Sequence, residues 1–463
     1  MRRARFLASA ASAVLVGGCS LLGPAYKAGK VDTPERWQWG AAGAGEWPDP
    51  AWWRGFGSAE LDRLQGEAVA GNRDLRAAVA RVAQAEAQAK IAGAALLPTL
   101  GADASVSRVS QSTSRGRAAT TTYGVGLTAG YQIDLFGANA AAAGAARTRV
   151  EASRYDRETV ALTVNAGVAA TYFQLLALRD RTRFATASLA AATRLLQLLE
   201  EQRRIGTTSD LEVAQQRASV ASQRASIPAL VQAERETLAA LALLLGRAPQ
   251  GFTADGRDLS TLRPPPVVSG IPSELLQRRP DIRRAEADLR AANFDIAQAR
   301  AARFPRIQLT ADAGSSSAAL SNLFNPSGFL YALAAGLVAP IFEGGRLKGQ
   351  EKLSQARYEE LVQSYHNAIL SAFRDVDNAL SGVEQFRQQL VFEREARAHA
   401  RDAYRLAELR YRAGSVDFLT VLVTQRAVLQ SEDAVVLAEL AQAGALVDLY
   451  KALGGGWSGA LAQ

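Results

Sequence analysis

The sequence predicts an α + β membrane protein in which very long helices alternate with membrane-crossing strands, the whole built twice from one unit. Three observations carry this. The 463-residue chain repeats itself at a spacing near 207 residues, read from Pro98 to Pro305 and from Gly206 to Gly414. Each copy holds two segments in which apolar and small polar residues alternate with period two, the pattern of a strand with one apolar face. Each copy also holds a segment of roughly 67 residues without proline, and a helix of that length extends about 100 Å. Composition agrees: with 7% aromatics and 15 Pro, the long segments are dominated by Ala, Leu, Arg, Glu and Gln, which favour helix.

The N-terminus reads as an address. Met1-Arg2-Arg3-Ala4-Arg5 is basic, residues 6–16 are mostly apolar but too few to span a bilayer, and Val16-Gly17-Gly18-Cys19 resembles a bacterial lipobox. The expectation is a lipoprotein signal peptide over residues 1–18 and acylation (palmitate) at Cys19, a lasting anchor because each buried CH₂ contributes about 0.8 kcal/mol. The alternative is a buried Cys inside an ordinary signal peptide. Ser20 after the Cys permits sorting to the outer membrane. No later stretch reads as about 18 consecutive apolar residues, so further membrane contact is expected only through a β-barrel.

Charge and side-chain inventory exclude several classes. The net charge is +8, nearer +5 once Arg2, Arg3 and Arg5 are removed. Basic and acidic residues are interspersed along the helical segments, which describes solvated helix faces and no nucleic-acid stripe. A single Cys excludes an intrachain disulfide, and two His leave little for a zinc site, so no metal and no cofactor are expected. His366 and His399 stand without partner motifs, so no catalytic residue is expected. Glu343-Gly344-Gly345-Arg346 lacks P-loop spacing.

The elements of the two copies follow in parallel. Asn72-Arg73-Asp74-Leu75 faces Arg279-Pro280-Asp281-Ile282; Leu96-Leu97-Pro98 faces Arg303-Phe304-Pro305; Leu245-Gly246 faces Leu453-Gly454. A helix is predicted over residues 59–95, ending before Pro98. Leu100, Ala102, Ala104 and Val106 begin a strand, residues 107–122 read as a polar outer loop, and Tyr123 to Leu135 alternate as a second strand long enough to cross a bilayer at a tilt. In the second copy Ile307, Leu309, Ala311 and Ala313 alternate, and residues 329–341 follow a loop with Asn325-Pro326. Tyr131 and Tyr331 are expected in an interfacial girdle. Four strands alone make too small a core for a soluble sandwich. Long helices are predicted over residues 138–205 and 346–412, and return helices over 210–245 and 417–453. Gly206 and Gly414 suit the left-handed ends between them. Leu195, Leu198 and Leu199, or Leu419, Leu422 and Leu429, recur at helical spacing and predict one packed face. Pro264-Pro265-Pro266 marks the linker between copies.

Taken together and in order, these residues resemble the outer-membrane factor family of tripartite efflux systems, the TolC-, OprM- and NodT-like lipoproteins. The resemblance also rests on Gly23-Pro24-Ala25-Tyr26, Trp52-Trp53-Arg54-Gly55-Phe56-Gly57, Tyr131-Gln132-Ile133-Asp134-Leu135-Phe136-Gly137, Arg410-Tyr411-Arg412-Ala413-Gly414 and Gly454-Gly455-Gly456-Trp457, and covers nearly the whole mature chain. It implies a TolC-like fold, a long α-helical barrel continuing a transmembrane β-barrel, with four strands from each chain of a homotrimer. It implies an efflux duct in the outer membrane, extending into the periplasm and joined by a periplasmic adaptor (a membrane fusion protein) and an inner-membrane pump of the RND type. Domain bounds follow: 19–57 an N-terminal periplasmic segment, 58–246 the first repeat (strands about 99–136), 247–271 a linker, 272–454 the second repeat (strands about 306–342), and 455–463 a tail.

The family's periplasmic aperture carries over in part. Leu419 and Arg426 match its Leu and Arg, whereas Val423 stands where an Asp is usual. The implied gate is an apolar ring of Leu419 and Val423 with a cationic ring of Arg426. The same residues also read as coiled-coil core and a solvated helix face. Gly206 and Gly414 are the turns implied to meet the adaptor. Two further readings remain: a protein-secretion duct of the same architecture, and a periplasmic adaptor, which would carry one helical hairpin between β-rich domains where this chain has two.

Overall fold

The computed structural model describes residues 26, 29, 31–39, 47–113, 116–256, 258–265, 270, 272–455 and 457. Cys19, the signal segment and residues 266–269 of the linker lie outside them. The two repeats are drawn to one plan. The first runs α1 (Ala59–Gly71), α2 (Arg73–Ala94), β1 (Thr99–Thr113), β2 (Gly116–Ile133), α3 (Ala138–Arg204) and α4 (Asp210–Leu244). The second runs from a single turn, Leu275–Arg278, through α5 (Pro280–Ala301), β3 (Arg306–Ser317), β4 (Phe329–Val338), α6 (Arg346–Arg412) and α7 (Phe418–Ala452). Paired helices have equal lengths: 22 residues for α2 and α5, 67 for α3 and α6, 35 for α4 and α7.

The helix expected over residues 59–95 is broken at Asn72, whose backbone leaves helical geometry with ψ 131°. Asn72 N–H closes α1 on the Ala68 carbonyl, while its side-chain oxygen accepts from Leu75 N–H at 2.9 Å and so opens α2. One residue thus satisfies backbone groups of two helix ends. Its amide nitrogen donates to the Leu244 carbonyl at the end of α4, 2.7 Å away. The second copy solves the same problem differently. Arg279 is held extended before Pro280, as the residue preceding proline must be, and its guanidinium donates to the Ala452 carbonyl at the end of α7.

The chain forms two compact units, and neither is a repeat: one gathers residues 81–154 and 284–366, the other residues 31–80, 155–283 and 367 onwards. The first contains the sheet and a helical layer packed through small residues. Gly144 of α3 leaves room for the Phe294 ring of α5, where an added Cβ would lie 2.9 Å from the ring. Phe136 stacks on Phe304 at 4.7 Å, and Asp134 caps α3 through Asn139 N–H and Ala140 N–H. The second unit is built on Trp52, Phe56, Leu61, Leu64, Tyr172, Phe173 and Leu176, all buried. Trp52 lies parallel to Tyr450 at 5.0 Å, and Phe56 meets Phe173 at 4.8 Å. Asp180, buried against this core, accepts from Leu259 N–H and faces Arg183 and Asp258. Burial raises its pKa to about 6, and the connector after α4 is pinned there.

Contrary to the sequence reading, α3 does hold an 18-residue window apolar enough to cross a membrane, but half of that window is buried within the protein. It is a packed helix of Ala, Leu and aromatic contacts, and its hydrophobicity is used internally.

Candidate functional site

Two surfaces carry the chemistry. The first is the sheet, ordered β1-β2-β3-β4 and antiparallel throughout. Its register places Ala102, Leu127, Ala313 and Tyr331 on one rung of one face. Because side chains alternate, Leu100, Ala104 and Val106, Val125 and Ala129, Leu309 and Ala311, and Leu333 and Leu337 share that face. Leu100, Val106, Leu127, Tyr331, Leu333 and Leu337 are each more than half exposed. The opposite face carries Thr99, Asp103 and Ser105, Thr128 and Gln132, Thr310 and Asp312. One wet face and one apolar face, with unpaired edges on β1 and β4, are what a segment of a membrane barrel presents.

Three details differ from expectation. Residues 107–122 are mostly strand: β1 and β2 continue past the rung Val106–Tyr123 to Thr113–Gly116, projecting beyond β3 as a two-stranded ribbon. Alternating Ser and Thr are compatible with a strand whose two faces are both wet, so polarity alone did not mark a loop. Tyr131 lies one rung in from the helical end of the apolar band, which finishes at Ile133, Ile307 and Leu337, whereas Tyr331 pairs on the rung of Leu127, near the middle. The far rim instead holds Tyr123, with Phe329 at the start of β4. In β4 both faces are apolar or small, so the alternation of the other strands fails there.

The second surface is the pair of helical tips. Gly206 and Gly414 adopt φ +76° and +71°, and each is followed by paired backbone bonds that close the helix: Gly206 to Arg203 and Thr207 to Gln202, Gly414 to Tyr411 and Ser415 to Arg410. No atom lies within 4 Å of a Cβ built at either glycine, so both turns are open to solvent. Below them Leu195, Leu199, Val213, Ala407, Phe418, Val421 and Leu422 form one buried cluster. Leu198 and Leu419, read from spacing as part of the packed face, are exposed instead.

Leu419 and Val423 are 54% and 57% exposed, and Arg426 is exposed too. At i, i+4 and i+7 they form one stripe along α7, facing away from the chain's own core. The coiled-coil reading of Leu419 and Val423 therefore does not hold within the chain, where Phe418, Val421 and Leu422 take that role. Arg426 has no ion pair or hydrogen bond among the described residues.

The tips are also tied to one another, which spacing did not reveal. Ser209 caps α4 in a reciprocal box with Glu212. The Glu212 carboxylate also accepts from the Thr208 hydroxyl, and the Tyr411 hydroxyl at the end of α6 lies close enough to help hold its pKa down. Burial acts to raise the Glu212 pKa, but the hydrogen bonds from Thr208 and Ser209, with the nearby Tyr411 hydroxyl, outweigh it and hold it below the ordinary value. Tyr411 packs its ring on Phe418 at 5.4 Å, and burial raises its pKa. Deeper in the bundle Arg181 of α3 grips Asp433 of α7 with bonds of 2.6 and 3.2 Å. Among the described residues no cluster of His, Cys, Asp and Glu is arranged to hold a metal.

Known proteins are similar to this chain along nearly its whole length. A profile of the outer membrane efflux protein family matches residues 64–247 and 271–455, one segment in each repeat. The pyoverdine export outer membrane protein OpmQ of Pseudomonas aeruginosa is 43% identical over 459 residues, covering 96% of each chain. The solvent efflux pump outer membrane protein SrpC of Pseudomonas putida is 33% identical and covers 96% of this chain and 97% of its own. Among solved structures, the open state of the MtrE outer membrane channel of Neisseria gonorrhoeae superposes with a TM-score of 0.84 at 32% identity, over 95% of this chain and 99% of that one. With matches spanning nearly its whole length, the chain belongs to the outer membrane efflux protein family, and it is a TolC-like outer-membrane efflux channel component.

Proposed function

We propose that the protein is a homotrimeric, non-enzymatic exit duct, anchored by acyl chains on Cys19, through which an inner-membrane pump of the RND type expels small molecules by way of a periplasmic adaptor. The observation that carries this is the four-stranded sheet with one exposed apolar face and two open edges. Three copies close a twelve-stranded barrel and leave no edge in lipid. Helices of about 100 Å then continue the duct through water. The domain division at residues 58–246 and 272–454 is that of two helical hairpins, whose Gly206 and Gly414 tips meet the adaptor. The relatives named for pyoverdine, solvent and antibiotic export share one chain plan. The cargo is therefore set chiefly by the pump, and the duct filters by size and charge. Crosslinking in intact cells, followed by purification and mass spectrometry, is expected to recover a trimer with an adaptor and a pump. A monomer recovered without either, outside the outer membrane, would overturn the reading.

The aperture is assigned to the stripe Leu419, Val423 and Arg426. Three unpaired guanidinium groups around a narrow opening favour anions, since a ring of one sign changes local ion concentrations by about tenfold or more. Arg426→Ala is expected to raise single-channel conductance and to lower the anion-over-cation permeability ratio at least about threefold in planar bilayers. Unchanged conductance and selectivity would remove Arg426 from the gate.

A further inference from the structure

We propose that Arg108 and Arg117 form a docking surface for phosphate-bearing lipid headgroups at the outer rim of the sheet. The inference rests on the outer-membrane reading above. Its starting point is a census of charge by face. On the apolar face of all four strands the register places two charged residues among the described ones, Arg108 and Arg117, and no acid. The acids of the sheet, Asp103 and Asp312, and its remaining cation, Arg306, lie on the wet face.

Position along the strands is as specific as the face. The ends of β1, β2, β3 and β4 that join helices lie together at one end of the sheet, marked by Thr99, Ile133, Arg306 and Val338. Both hairpin connections lie at the other, and with the helices in the periplasm that end is the outer one. There the apolar band finishes at Val106 and Tyr123. Arg108 is the next outward-facing residue of β1, opposite Thr121, and Arg117 stands on the same face opposite Ser112. From that register the two Cα atoms are roughly 14 Å apart. Tyr123 suits the headgroup boundary, the Arg108 guanidinium just beyond it meets the phosphates of that layer, and Arg117 stands about 14 Å farther out along the ribbon.

Both arginines are exposed, and neither has a hydrogen bond or ion pair among the described residues. On the ribbon beyond Val106 and Tyr123 the wet face carries Ser107, Val109, Gln111, Ala118, Thr120 and Thr122 and no charge, whereas cations that served only solubility would be expected on both faces, with acids interspersed. Guanidinium groups recognise phosphate through forked, charge-assisted hydrogen bonds, so the fitting partner is a lipid carrying phosphate without a compensating cation. Phosphatidylcholine, whose phosphate is neutralised by its own ammonium, is the mismatched control.

The test reconstitutes the purified full-length protein in phosphatidylcholine vesicles. Electron paramagnetic resonance then compares motionally restricted spin-labelled phosphatidylglycerol with spin-labelled phosphatidylcholine. The wild type is expected to prefer phosphatidylglycerol, by roughly fivefold for each arginine at low salt, with the preference falling as salt rises. R108Q/R117Q is expected to bring the ratio close to one. R108K/R117K keeps the charge and retains part of the preference, which separates recognition from a failure to fold. Arg306→Gln, on the wet face, is expected to change nothing. A wild type with no preference, a preference that survives in R108Q/R117Q, or one abolished by Arg306→Gln would each overturn the proposal. Failure of the wild type to insert as a barrel would instead count against the membrane reading on which it rests.

Discussion

Tyr411→Phe is expected to make the channel leak. The substitution removes one hydroxyl, which faces the Glu212 carboxylate across the two helical tips and helps hold its pKa down. The phenyl ring that stacks on Phe418 stays, so the packed cluster beneath the tips should survive. A hydrogen bond to a charged group contributes about 1.5–3 kcal/mol. Tyr411 and Glu212 make a looser contact that solvent reaches, so about 1 kcal/mol applies, and the ratio of closed to open channels should fall about fivefold for each chain in which the contact breaks on opening. Planar-bilayer recording is the direct measurement, with vancomycin sensitivity of intact cells as a second readout.

The same contact predicts a pH dependence. Glu212 has a folded-state pKa below its ordinary value of 4.5, so its contribution is fully present above that value and is lost as pH falls through the folded pKa. The wild-type channel should therefore open on acidification below about pH 4.5, while Tyr411→Phe should start open and respond less. If Tyr411→Phe matched the wild type in conductance at neutral pH, the two tips would not be held by this contact.

How much of this was legible in the sequence differs by element. Length and breaks were: the proline-free segments gave α3 and α6 nearly to the residue, because nothing inside them offers the backbone an alternative to helix. The glycine turns were also legible, since φ near +70° is costly for other residues. Orientation was not. Periodicity places Leu419 and Leu422 on a common helical arc, but it does not say which of them meets the chain's own core. Leu422 is buried with Phe418 and Val421, and Leu419 is left outside. The ribbon beyond Val106 was missed because Ser and Thr favour loops in general, yet alternate as well as any residues when both faces are wet. The approach of Tyr411 to Glu212 was invisible for a different reason: it depends on how two hairpins lie side by side, which no local pattern encodes. Conversely, the repeated pairs that first marked the duplication proved to be spatial partners. Asn72 bonds the end of α4, and Arg279 bonds the end of α7. The motifs recur because each copy must lock a return helix to the break before its α2-type helix.

That lock makes Gly246 the position where a single methyl group should do most damage. Gly246 has φ +69°, and a Cβ there would lie 2.1 Å from the Gly71 carbonyl oxygen. Gly71 is equally confined, its own Cβ falling 2.2 Å from the Leu245 carbonyl oxygen. Two backbones therefore cross in contact, and no side chain can rotate aside to make room. In the second repeat Gly454, at φ +89°, meets the Arg278 carbonyl oxygen at 2.2 Å. Left-handed strain contributes about 1–3 kcal/mol, and overpacking against backbone adds about 1–3 more. Gly206→Ala is the matched control: its φ of +76° is nearly the same, but its Cβ would point into open space. Thermal unfolding of the purified variants, read by circular dichroism, should rank Gly246→Ala and Gly454→Ala well below Gly206→Ala. Folded protein in the outer membrane should fall in the same order. Equal losses at Gly246 and Gly206 would mean that backbone conformation alone sets the requirement for glycine. The duplicated Leu-Gly pair would then be a helix terminator, with no part in locking the return helix to the break at Asn72.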